Sequence, residues 1–189
     1  MPPADIRDKV RDAYSAAAEQ PEAEHPFPMG GAFAESLGYP AHLLSLVPPA
    51  SVESFSGVSN ISMTAEIEPG DTVLDLGCGA GLDALIASER VGVTGRVIAV
   101  DFSEAMLRRA QGGTNLVFCL AEAERLPLAD ASIDVALVNG IFNLNPARAA
   151  IFQELARVVR HGGQVHAAEL ILARPLSAQE QGSEENWFA

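Results

Sequence analysis

Cysteine is scarce. The chain of 189 residues has two, Cys78 and Cys119, too few for a disulfide framework and suited to a reducing cytoplasm. Basic residues are scarce as well: twelve Lys and Arg stand against twenty-five Asp and Glu, a net charge of −13. A field of that sign repels phosphates, which argues against nucleic acid and anionic membrane as partners. No apolar run approaches ~18 residues, so no segment reads as a bilayer span. The opening MPPADIRDK lacks the apolar stretch of a secretory signal. There is no internal repeat and no low-complexity tract. What is present is ordinary globular composition, 48% apolar and 20% charged. A chain of this length fits one domain, or one domain with an appendage, and buries roughly 70% of its unfolded surface.

Two regions differ in texture. Residues 1–68 read as an N-terminal helical region, a lid or substrate-binding part by the family resemblance given below. Within it, Ile6, Val10, Tyr14 and Ala17 recur at three-to-four spacing and predict a helix over 4–18. A loop rich in Pro and Gly follows at 21–31, then a short helical stretch near 32–46 that ends at Pro48 and Pro49. Residues 50–68 are poorly patterned. From residue 69 to 189 short β-branched runs alternate with amphipathic stretches. Strands are predicted at 72–77, 96–101, 115–121, 132–140 and 164–173, and helices at 81–91, 103–111 and 146–160. Ser103 is the candidate N-cap of the second of these helices, and Gly162-Gly163 the stop of the third. Strands alternating with helices imply crossover units and a parallel sheet.

The most informative segment is VLDLGCGAGLD, residues 73–83. A strand ends, three glycines follow and a helix begins, at the place where open α/β sheets bind ligands. A dinucleotide fingerprint needs G-x-G-x-x-G. Here the third glycine, Gly81, comes one residue early, after Gly77 and Gly79. Asp75 at the mouth of the loop would repel a pyrophosphate and suits a ligand carrying an ammonium group. The pattern favours S-adenosylmethionine over NAD. Asp101 ends the second strand, where a carboxylate can accept both ribose hydroxyls. Glu122 and Ala123 follow the third strand, where a carboxylate and a backbone N–H would meet the edge of adenine.

Four stretches, VLDLGCGAGLD, VIAVDFSEAML, AEAERLPLADASIDVALVN and ELARVVRHGG, occur in order over residues 70–173. Together they resemble the class I S-adenosylmethionine-dependent methyltransferases. The resemblance implies a Rossmann-like sheet and S-adenosylmethionine as cofactor. Asp75, Gly77, Cys78, Gly79 and Gly81 would then hold the methionine part. Asp101 would hold the ribose, Phe102 and Met106 would line the adenosine, and Glu122 with Ala123 would meet adenine. Within that superfamily the chain is most similar to the arsenite methyltransferases, through VGVTGRVIAVD, VNGIFNLNP, ESLGY and GVSN. That family places arsenic-gripping cysteines where this chain has Val58 and Gly140, and neither Cys78 nor Cys119 replaces them. No metal site is expected.

On the acceptor side, Asn139, Asn143 and Asn145 cluster past the fourth strand. Asn139 is the candidate to touch ligand, both cofactor and acceptor. Glu169, near the end of the fifth strand, is a candidate to orient or deprotonate an acceptor. The resemblance also implies two further strands forming an antiparallel hairpin. The chain stops at NWFA, residues 186–189. Two explanations are open: the coding region continues past a selenocysteine codon after Ala189, or the uncovered fifth-strand edge pairs with another copy or another protein. The expected function is methyl transfer to a small-molecule or metalloid acceptor by an in-line approach. Two other readings stand beside it: a cofactor-binding protein without catalysis, and an NAD-dependent oxidoreductase.

Overall fold

The computed structural model describes residues 3–171 and 174. The chain opens with α1 (Pro3–Glu19), followed by four short helices, α2 (Gly31–Ser36), α3 (Ala41–Leu44), α4 (Pro49–Glu53) and α5 (Ile61–Thr64). Then come β1 (Thr72–Leu76), α6 (Leu82–Val91), β2 (Arg96–Asp101), α7 (Glu104–Arg109), β3 (Leu116–Leu120), β4 (Ile133–Asn139), α8 (Arg148–Val158) and β5 (Val159–Ala168). The five strands form one sheet in the order β3-β2-β1-β4-β5, and every pairing is parallel. This is the Rossmann-like sheet expected. Residues 172–173 and 175–189, which include the end of the expected fifth strand and the NWFA segment, lie outside the described residues.

Alternation along β1 divides its side chains between two apolar layers. Val73 packs with Ala84, Ala87 and Val91 of α6. Leu74 and Leu76 pack with Ile151, Leu155 and Val158 of α8 on the opposite face. Both faces of β1 are covered, which explains its near-continuous apolar run. Asp75 is the exception in that run, and it is 2% exposed. β1 lies between β2 and β4, so the strand order reverses there. The crevice at the carboxyl ends of these strands is the ligand position of open α/β sheets.

Two sequence expectations need correction. The helix expected near 32–46 is broken into α2 and α3. Gly38 has φ +94°, and Pro40, which lacks an N–H, is the N-cap of α3. The fifth strand, expected over 164–173, starts earlier, at Val159, and ends at Ala168, with residues 169–171 outside the ladder. Its pairing with β4 shifts register between Ile133 and Val135, opposite Val159 and Gln164. Residues 160–163 bulge out of the ladder, so Gly162-Gly163 belongs to an irregular strand and does not stop α8. Ser103 caps α7 as expected, its Oγ accepting from the Met106 N–H at 3.3 Å.

Candidate functional site

An open cavity lies at the carboxyl ends of β1, β2 and β4. Its floor is the turn between β1 and α6. Gly77 and Gly79 have φ +77° and +53°, a backbone region that side chains rarely adopt. A Cβ on Gly77 would lie 2.4 Å from Ile141 Cγ2, whereas one on Gly79 would meet nothing within 4 Å. The first glycine permits a close approach of the loop after β4. The second keeps the backbone bare toward the cavity.

Three carboxylates surround this turn. Asp101 accepts from the N–H groups of Gly79 and Ser103, each at 2.8 Å. Asp83 accepts from the Tyr39 hydroxyl at 2.5 Å, from Asn139 Nδ2 at 2.9 Å and from the Ser62 N–H at 3.3 Å. Asp75 has one oxygen, Oδ2, that is buried and has no hydrogen-bond partner. Burial pushes all three carboxyls above their ordinary range. For Asp75 the charges of Asp83 and Asp101 add to burial, and the Ala84 N–H opposes it. The partners that hold these three acids are neutral. Buried anions without a cation are costly, and a buried acceptor left open marks a place for a donor.

At the end of β3 the arrangement is different. Glu122 receives Arg7 at 2.6 Å and Arg11 at 2.7 Å. Arg7 also reaches Glu124 at 3.3 Å. The Arg11 guanidinium stands 5.3 Å from the centre of the Phe102 ring. Through these contacts α1 forms a wall of the cavity, with Tyr14 also lining it.

Among the sequence-predicted residues, Asp75, Gly77, Cys78, Gly79, Asp101, Phe102, Glu122, Ala123 and Asn139 line this one cavity. Gly81 caps α6 with φ +87°, and Met106 packs with Ala17, Ala18, Phe27 and Ala80; neither is in the lining. Asn139 makes four hydrogen bonds. Its Oδ1 accepts from the Val58 and Ser59 N–H groups, and its Nδ2 donates to the Ser59 carbonyl and to Asp83. It therefore buckles segment 57–59 to the end of β4. Glu169 accepts from the N–H groups of Phe142 at 2.6 Å and Asn143 at 3.3 Å, which fixes the loop after β4. The Cys78 thiol is buried and its pKa is raised, first by that burial. Asp83, Tyr39, Arg7 and Arg11 were not singled out from sequence. A signal existed for the arginines: with Tyr14 they repeat at four and three residues along one helix face.

A parallel sheet in this order, a glycine turn after β1 and an acid closing β2 define a Rossmann-like binder of a nucleoside cofactor. The chain belongs to the methyltransferase-domain family, which it matches over residues 67–187. It is 36% identical over 147 residues to an arsenite methyltransferase of Halobacterium salinarum, covering 75% of this chain and 37% of that protein. It is 38% identical over 116 residues to the ubiquinone/menaquinone biosynthesis C-methyltransferase UbiE of Xanthomonas oryzae, covering 56% and 45%. The crystal structure of an arsenic(III) S-adenosylmethionine methyltransferase from Chlamydomonas reinhardtii superposes with a TM-score of 0.62 at 30% identity, covering 82% of this chain and 54% of that one. The chain thus spans less than half the length of these two curated relatives. The cofactor of this family is S-adenosylmethionine, and the site fits it. A buried carboxyl oxygen without a partner lies beside the glycine turn, and Gly79 leaves the backbone bare. Among the described residues, no helix is long and apolar enough to cross a membrane.

Proposed function

We propose that this chain transfers a methyl group from S-adenosylmethionine to a small-molecule acceptor that thiolates do not hold. The observation that carries the reading is the open, buried Oδ2 of Asp75 at the glycine turn. Asp75 would take the ammonium of the methionine part, Asp101 the ribose hydroxyls, and Glu122 with the Ala123 N–H the adenine edge, beside Phe102. When bound, the cofactor supplies a methyl group already activated by a positively charged sulfur. The protein's own part is to orient, enclose and exclude water, which can lower a barrier by several kcal/mol. Asn139 serves this by holding segment 57–59 against the sheet.

The wall after β4 supports the acceptor class. Gly140, Ile141 and Leu144 line the cavity there. A Cβ on Gly140 would lie 3.1 Å from Val58 Cγ1, so the two positions meet without a sulfur atom between them. A trivalent metalloid needs convergent thiolates, and neither Cys78 nor Cys119 provides them here. The test is turnover of labelled methyl donor against a panel of phenols, quinols, thiols, selenite and arsenite. Methylation of a carbon or oxygen acceptor is expected. Methylation of arsenite alone would overturn the acceptor class, and cofactor binding without any turnover would favour a binding protein. The free thiols Cys78 and Cys119 support a cytoplasmic setting. Among the described residues no strand pairs with the outer edge of β5; a second copy would pair there, and sedimentation across concentrations tests this.

A further inference from the structure

Three buried polar atoms of residues lining the cavity have no partner, the Oδ2 of Asp75, the Oε2 of Glu124 and the Oγ of Ser51, and only the last belongs to a hydroxyl. Ser51, on α4, is 1% exposed, and its Oγ makes no hydrogen bond. It lines the same cavity as Asp75. The neighbouring Ser54 is in a different state: its Oγ accepts from Arg109 Nε at 2.7 Å, and that guanidinium also reaches Glu53 at 2.9 Å. One serine of the pair is therefore engaged by a cation, and the other is left with a free hydroxyl.

The open atoms of Asp75 and Ser51 have complementary chemistry. An ionised carboxylate only accepts, whereas a hydroxyl can donate. An α-amino acid presents a cation and an anion attached to one carbon. Asp75 satisfies the cation alone. The anion would enter a wall otherwise dominated by buried aspartates, so it needs a donor. We propose that Ser51 is a binding residue for the carboxylate of the cofactor's amino-acid end, acting together with Asp75 on its ammonium group. This rests on the reading of the cavity as an S-adenosylmethionine site and adds a contact from the N-terminal region. It makes α4 part of the cofactor site as well as of the cavity wall.

Calorimetric titration of the whole chain and of Ser51→Ala with S-adenosylmethionine and with its decarboxylated analogue tests the idea. The variant should lose roughly ten- to a hundredfold in affinity for the first ligand, the range for a hydrogen bond to a charged group. Its affinity for the decarboxylated analogue should not change. Its melting temperature without ligand should be equal or higher, because the hydroxyl has no partner to lose. Ser51→Cys, which keeps the side-chain shape, should show the same selectivity with a smaller loss. Equal weakening of both ligands, or none for either, as when water alone meets the hydroxyl, overturns the role of Ser51 while leaving the site intact. A wild-type chain that binds neither ligand overturns the site assignment itself.

Discussion

At the glycine turn, Asp75, Asp83 and Asp101 are buried among neutral partners. At the end of β3, Glu122 and Glu124 already hold Arg7 and Arg11. The first set is an anionic site that only a ligand completes. The second is neutralised in charge by the arginines, although the Oε2 of Glu124 is buried without a partner, and the same ion pairs dock α1 onto the core. A cofactor's ammonium would therefore find an open acceptor, whereas its adenine would compete with two guanidinium groups for Glu122. The cationic end should dominate affinity, and the nucleoside end should govern entry and release.

The sharpest way to break this comparison is Asp75→Asn. Removing one partner of a buried charge pair costs on the order of 2–5 kcal/mol in binding, so titration should show affinity falling at least thirtyfold. A variant that binds as tightly as the wild type would remove the contrast. Asn139→Ala is next. It leaves the Val58 and Ser59 N–H groups without their acceptor and takes one donor each from Asp83 and the Ser59 carbonyl, and should cost about 2–4 kcal/mol in chemical denaturation.

Proton linkage gives a third test. The three buried acids are held above their ordinary range, so the ligand-free native state binds more protons than the unfolded chain. Its stability should be greatest below about pH 4 as far as these groups go, and should decline as pH rises through their raised values. Cofactor affinity should move the opposite way. It should increase with pH over that window, because binding the ammonium needs Asp75 ionised, and calorimetric heats in buffers of different ionisation enthalpy should reveal the released proton. Asp75→Asn should flatten that slope. The smallest effect belongs to Arg7→Ala with Arg11→Ala. Partly exposed pairs contribute roughly 0–1 kcal/mol each and weaken with salt. Stopped-flow measurement should show slower cofactor release, because Glu122 is freed for the adenine edge, with less than about a fivefold change in affinity, and faster release would show that the docking of α1 outweighs that competition.

The strands from β1 to β4 were legible because buried parallel strands read as short apolar runs between turn residues. Asp75 and Asp101 were legible because a compact motif ties them to strand ends. β5 was displaced because Gly162-Gly163 has the composition of a helix stop, while the register shift against β4 depends on pairing that local pattern does not encode. The short helices around Gly38 and Pro40 have too little periodicity to separate. Asp83 stood in full view inside the glycine motif, yet its importance comes from Tyr39, Ser62 and Asn139, which packing brings to it from far along the chain. The same is true of Ser51 and the two arginines. The floor of the site is local in sequence, and its roof is not.

The Arg7–Glu122 contact joins residues 115 apart in the chain. Closing so long a loop is unfavourable until the partner surface exists. The sheet must therefore consolidate before the first helix can dock. In refolding, amide protection within β1 and β4 should come before protection of residues 7–18. A nucleoside that bridges floor and roof would bind only the completed form, so it would raise the stability of the late-closing helix by mass action.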